Sequence, residues 1–248
     1  MKLDYPQKRN GMYILNKNDF DVIASAVLGK YSPGNLKTVR PLDIDYLLQD
    51  CLYLEIVPKF LSRDGSVLGM IAFENSKWWP VTGIDPEMEI IPAGTVCIDP
   101  TLLGIEQRGR CRFTKAHEGS HWILHRSYHS PDHRVFSFRQ SDVPAIACRA
   151  TVIERFTWKH DRVWSEHDWE EWQADSLAAA MLMPRDAFKD AFQTAMSHHG
   201  FRQSYLVKGE RVSDSKEVVT EVANRFDVSR RAAQIRMCQF NLIRQMLG

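Results

Sequence analysis

The apolar and polar positions change period several times along the chain, and each change marks an element. Residues 18–29, NDFDVIASAVLG, open with polar capping candidates and then repeat apolar side chains at helical spacing. A second short helix is expected after Pro41, in LDIDYLLQD. From Leu52 to Cys97 the runs CLYLEIVPKF, SVLGMIAFE and MEIIPAGTVCID are short and β-rich, separated by Gly, Pro and Asp, which predicts a small antiparallel sheet. The helical period returns between Leu103 and His125. Residues 126–168 are polar, rich in His and Arg, and broken by Pro131 and Pro144. They read as a long connection with one short strand in ATVIERFTW, of the kind that faces a substrate. Helix resumes in WEEWQADSLAAAMLM, stops at Pro184, and continues in RDAFKDAFQTAM.

The stretch SHHGFRQSYLVKGERVSD reads as a linker. Beyond it, SKEVVTEVANRFDVSRRAAQIRMCQFNLI predicts two helices joined by a tight turn at Phe226-Asp227-Val228-Ser229, with Ser229 as an N-cap. The order helix, sheet, helix predicts an α+β domain over residues 1–198, followed by a helical, helix-turn-helix-like segment over residues 199–248.

Composition narrows the function classes. With 44% hydrophobic and 25% charged residues, the chain has the balance of an ordinary folded globular protein, which excludes a fibrous or low-complexity one. A formal net charge of +1 removes any global attraction to nucleic acid or membrane and leaves only local patches. The cysteines at 51, 97, 111, 148 and 238 are odd in number and never form CxxC, so neither a disulfide framework nor a thiolate zinc site is expected. No apolar run approaches the roughly 20 residues that cross a bilayer. MKLDYPQKRNGMYIL lacks the continuous apolar stretch of a secretion signal. The expectation is a cytoplasmic protein with free thiols and no membrane partner.

The strongest chemical signal is His117-Glu118-Gly119-Ser120-His121, an HExxH motif. On a helix, positions i and i+4 differ by about 40° in azimuth and about 6 Å in height, so two imidazoles can converge on one ion. The intervening glutamate reaches the same rim and suits a general base. His125 lies about 12 Å up the axis from His117, too far to share that ion, and is expected to pack or hydrogen-bond instead. A third ligand fits better on the second helix, in Glu171-Trp172-Gln173-Ala174-Asp175. Glu171 would ligate, with Glu170 as the fallback. Asp175, on the same face, could accept the N–H of a ligating histidine. Ala174 and Ala178 keep that helix slim enough to lie against the first. The same acids would also suit a solvated face at the start of a helix.

At these residues the chain resembles a family. RCRFTKAHEGSHWILH is similar to the RFTxAHELGHxLLH segment of the ImmA/IrrE metallopeptidases, and EWQADSLAAAMLMP is similar to their second motif, E-x-x-A-(N/D)-x-F-A-x-x-L-L-M-P. The resemblance covers roughly residues 18–190. It implies a zincin-like, gluzincin-type fold and a zinc endopeptidase, with His117, His121 and Glu171 holding Zn2+ and Glu118 as the catalytic base. It also implies a protein substrate, a helix-turn-helix repressor of the Xre/Cro type or an antitoxin, whose cleavage controls transcription. Gly119-Ser120 stands where the family has Leu-Gly, and Leu177 replaces a Phe. Gly119 costs a helix about 1 kcal/mol relative to Ala. An oxyanion donor is sought among Tyr128, His129, His133, His160 and His167.

The tail carries a rival expectation. Arg230, Arg231 and Arg236 on its second helix would suit phosphate or base contacts, in a DNA- or partner-binding regulator whose zinc site is structural. A helical pair packed on the preceding domain, with its arginines on the wet face, is the reading preferred here.

Overall fold

The computed structural model describes residues 3–81, 87–129, 145–149 and 164–244. The chain is mixed α+β with a small sheet. Helix α1 (Asp19–Tyr31) buries Phe20, Ile23, Ala24, Val27 and Leu28, the stripe that its apolar spacing predicts. Two short helices follow, α2 (Gly34–Lys37) and α3 (Ile44–Tyr46), and α3 runs on into a π-turn at Leu47–Cys51. Asp43 caps α3 by accepting the Tyr46 N–H at 3.0 Å.

The β-rich region supplies β1 (Glu55–Pro58), β2 (Val67–Ala72), β3 (Ser76–Trp78), β4 (Glu89–Ile91) and β5 (Thr95–Ile98). A later strand, β6 (Ala145–Arg149), completes a four-stranded sheet of order β1-β5-β2-β6, while β3 and β4 pair separately. β2 is antiparallel to β5 and β6, but β1 is parallel to β5. The sheet is therefore mixed rather than antiparallel throughout. The whole β2 to β4 excursion lies between β1 and β5 in the chain, and a connection of that length allows parallel pairing where a tight hairpin would not. The register of β2 on β6 shifts between Val67 and Gly69. Beyond the shift Ile71 and Phe73 join Leu68 in the core shared with the helices, whereas Met70 and Ala72 pack with Leu61, Ile91 and Cys97 in a smaller core of their own. The strand expected at residues 150–158 lies outside the described residues.

Helix α4 (Arg108–His125) carries the HExxH motif. Two 3-10 turns, Pro100–Leu102 and Ile105–Gln107, precede it, so the predicted helix from Leu103 becomes a regular α-helix only at Arg108. Helix α5 (Glu166–Leu182) opens with a reciprocal cap: the Ser165 hydroxyl accepts the Asp168 N–H at 3.1 Å, and the Asp168 carboxylate accepts the Ser165 N–H at 2.9 Å. Its Ala174 and Ala178 are fully buried, and α5 packs on both α4 and α1. Helix α6 (Arg185–His198) follows directly from Pro184.

The expected linker is structured: β7 (Leu206–Val207) pairs in parallel with β8 (Ile243–Arg244) at the far end of the tail. Between them stand α7 (Val212–Phe226) and α8 (Arg230–Gln239). The turn between these helices puts Asp227 in the left-handed region, at φ 52°, and Ser229 caps α8 by accepting the Ala232 N–H at 3.1 Å. Val218, Val222, Phe226, Ala233 and Met237 are fully buried in the same apolar core as α1, α5 and α6.

Polar contacts hold the pair in place as well. Arg112 of α4 donates to the Asp227 carbonyl at 3.0 Å and to the Leu42 carbonyl at 2.8 Å, and Arg108 donates to the Asp227 carboxylate at 2.6 Å. Arg236 is buried and ion-paired with Asp21 of α1, and it also donates to the Met183 carbonyl. Arg230 and Arg231 are exposed, as expected, but Arg236 is not on the wet face and is closed to phosphate. No helix among the described residues is long and apolar enough to cross a membrane. Cys51, Cys97, Cys111 and Cys238 are free thiols.

Candidate metal centre

One turn of α4 brings His117 and His121 onto the side that faces α5, and Glu171 of α5 meets them there. All three are buried to at least 97%. The two Nε2 atoms lie 2.9 Å apart, and the Glu171 oxygens stand 3.6 Å from that of His117 and 3.4 Å from that of His121. Two ligand atoms of a tetrahedral ion with bonds of roughly 2.0–2.1 Å are separated by about 3.3 Å, so the spacing matches such an ion.

Protons on the rings decide whether these atoms can donate to a cation. Gln173 of α5 fixes one of them. Its Nε2 donates to the Tyr13 carbonyl at 2.9 Å, which leaves its Oε1 as an acceptor facing His125 Nε2 at 3.1 Å. His125 must therefore carry its proton on Nε2. Burial lowers its pKa to about 3, so the ring stays neutral and its Nδ1 holds a lone pair. That Nδ1 lies 2.9 Å from His121 Nδ1, which has to be the donor. The His121 Nε2 lone pair is thus turned towards His117 and Glu171. On the other ring, His117 Nδ1 lies 2.9 Å from Asp175 and donates to it, so in the neutral ring, the form a metal would bind, the lone pair is on Nε2.

The carboxylates point the same way. Neither oxygen of Glu171 accepts a hydrogen bond among the described residues, although both are buried, and the same holds for Glu118. Buried carboxylate oxygens without donors are costly unless a cation compensates them. Two imidazole Nε2 atoms and a carboxylate converging at these distances fit a divalent metal ion, and nitrogen with carboxylate donors suits Zn2+. Burial above all, with the Glu171 and Asp175 carboxylates beside it, pushes the Glu118 carboxyl up to about 8, against the lowering effect of neighbouring His117. A positive charge lodged beside it would pull in the other direction.

Two close approaches shape the centre. Gly69 of β2 passes directly over Glu118: a Cβ there would stand 2.5 Å from its Oε1 and 2.6 Å from Thr114 Cγ2. Gly119 lies against Leu48, whose Cδ2 occupies the space a side chain would need. The helix tolerates that glycine because the π-turn packs onto it.

His117, His121 and Glu171 come together, with Asp175 on His117. Glu170 instead pairs with His129 and lies near His121 and His125, a second group of possible ligands. In that group the histidines already hydrogen-bond to one another and to Gln173. Tyr128 is buried and within 3.3 Å of Glu166. His133 and His160 lie outside the described residues. Sequence reasoning missed Gln173 and Gly69. On a helix whose first half is rich in polar and charged residues, no local signal singled out Gln173. No protein-family model matches this chain, and no curated protein matches it either.

Proposed function

We propose that the chain is a zinc-dependent endopeptidase with a zincin-like fold. The convergence of His117, His121 and Glu171, with Glu118 between the two histidines on α4, carries this reading. The likeness of its two helical motifs to those of the ImmA/IrrE peptidases supports it. His117, His121 and Glu171 hold the ion, and Asp175 orients His117. When bound, Zn2+ supplies Lewis acidity that polarises a peptide carbonyl and acidifies water.

Glu118 does the proton work. Its carboxylate takes a proton from the attacking water as the new C–O bond forms, and returns it to the departing amine nitrogen as the C–N bond breaks. The buried setting favours this exchange, since among the described residues no donor competes for its oxygens. The substrate we propose is a helix-turn-helix repressor or antitoxin, cleaved in the cytoplasm.

The test combines metal content with cleavage. Purified protein should hold about one zinc per chain after dialysis, and should cut a helix-turn-helix protein encoded beside it. Glu118→Gln should keep the metal and lose the cleavage. Absence of zinc even after reconstitution would end the peptidase reading. Sequence-specific DNA retention without proteolysis would favour a regulator with a structural site.

A further inference from the structure

The histidine four residues beyond the HExxH motif, His125, is fully buried and lies in a chain of hydrogen bonds that all run in one direction. The chain starts at a fixed backbone acceptor, the Tyr13 carbonyl. Gln173 donates to it at 2.9 Å, His125 Nε2 faces the Gln173 oxygen at 3.1 Å, and His121 Nδ1 faces His125 Nδ1 at 2.9 Å. Reversing any one link sets two acceptors or two donors against each other. The backbone carbonyl cannot donate, so the polarity of the whole chain is set at that end.

We infer that Gln173 and His125 are positioning residues which hold His121 in its Nδ1–H tautomer, so that the Nε2 lone pair faces Glu171. This rests on the metal-centre reading above. The arrangement does for His121 what the Asp175 carboxylate does for His117, but with neutral groups. Carboxylate support raises ligand basicity through charge, whereas the neutral chain selects the tautomer without bringing a further negative charge beside Glu118, Glu170 and Glu171. The chain also assigns the second group of possible ligands: His121 and His125 spend their Nδ1 atoms on each other, and Glu170 is held by His129.

Side-chain isosteres test it. In His125→Asn the amide oxygen stands near the position of Nδ1 and can accept the His121 proton. In His125→Gln the amide reaches the Nε2 position and leaves His121 Nδ1 without an acceptor. Zinc affinity, read by competition with a chromogenic chelator, should fall about 10–100-fold in His125→Gln and return close to the parent in His125→Asn, the range seen when such supporting partners are lost. Nitrogen-15 spectra of the metal-free proteins should show His121 protonated on Nδ1 in the parent and in His125→Asn, and shifted towards Nε2–H in His125→Gln.

Gln173→Met breaks the far end of the chain and serves as the second variant should His125→Gln not fold. It should move the His121 tautomer in the same direction. Unchanged affinity and tautomer in His125→Gln and Gln173→Met would overturn the inference while leaving the centre intact. Two zinc ions per chain in the parent, with one lost in His125→Gln, would overturn it in favour of His125 as a ligand. If the parent takes up no zinc, the metal reading fails by itself, and the tautomer spectra still decide the inference.

Discussion

Two regions of this protein place charge inside an apolar core, and they treat it in opposite ways. Between α1 and α8, Asp21 is held by Arg236 and by Arg185, whose Nη2 donates at 2.7 Å, while Arg236 also donates to a backbone carbonyl. Between α4 and α5, Glu118 and Glu171 are as deeply buried, yet among the described residues their oxygens accept no hydrogen bond. The first region satisfies its charges with its own side chains and acts as a clamp. The second concentrates acceptors in the arrangement that the proposed cation would satisfy. Burial of charge alone therefore says little about function; the balance of donors and acceptors around it separates a structural ion pair from a metal centre.

The largest expected effect lies in the centre. Glu171→Ala should lose zinc on mild dialysis, read by elemental analysis against the parent. Undiminished zinc would break the comparison and move the third ligand to Glu170. The clamp should respond in stability instead. Arg236→Met leaves Asp21 with a single exposed partner and should cost about 3–5 kcal/mol in urea unfolding, with zinc content unchanged. Pairing it with Asp21→Leu should recover much of that loss, since a matched apolar pair replaces the ions.

The sign should invert at Glu118. In the metal-free protein its carboxyl is raised from 4.5 to about 8, so stability present at acid pH is lost as pH rises towards 8. Glu118→Gln has no carboxyl to ionise. It should become the more stable of the two above pH 8 and lose that advantage on acidification, as thermal unfolding across pH would show. A parent more stable than Glu118→Gln at high pH would mean that donors reach Glu118 after all. The smallest effect is expected at Gly119→Ala. Helix propensity gains about 1 kcal/mol, but contact with Leu48 costs about 1–3 kcal/mol, so a net loss of around 1 kcal/mol should appear in urea unfolding.

Much of the architecture was legible in the chain. Apolar spacing marked α1, α4, α5 and both tail helices, and period is a local property, although α4 and α5 prove buried all round where they cross, as at 116–121 and 177–182. The cap at Ser229 and the stop at Pro184 are local too. Strand pairing was not legible: β1 beside β5 in parallel follows from how the intervening strands pack, and alternation says only that a strand has two faces. In the site, i and i+4 spacing on α4 was enough to bring His117 and His121 together. Gly69 was invisible, because its role exists only where β2 crosses above Glu118. Arg236 was misassigned to the wet face, since a helix with three arginines does not reveal which one faces α1.

By itself, then, the sequence determined the helices, some of their ends and the residue types able to hold an ion, all of which depend on neighbours within a turn or two. The tertiary structure decided which carboxylate joins the histidines, Glu171 facing them while Glu170 turns to His129. It also decided which ring nitrogens carry protons and which buried charges are already paired. Those choices depend on the rotation of α5 against α4 and of α8 against α1, and that rotation is set by packing between residues far apart in the chain.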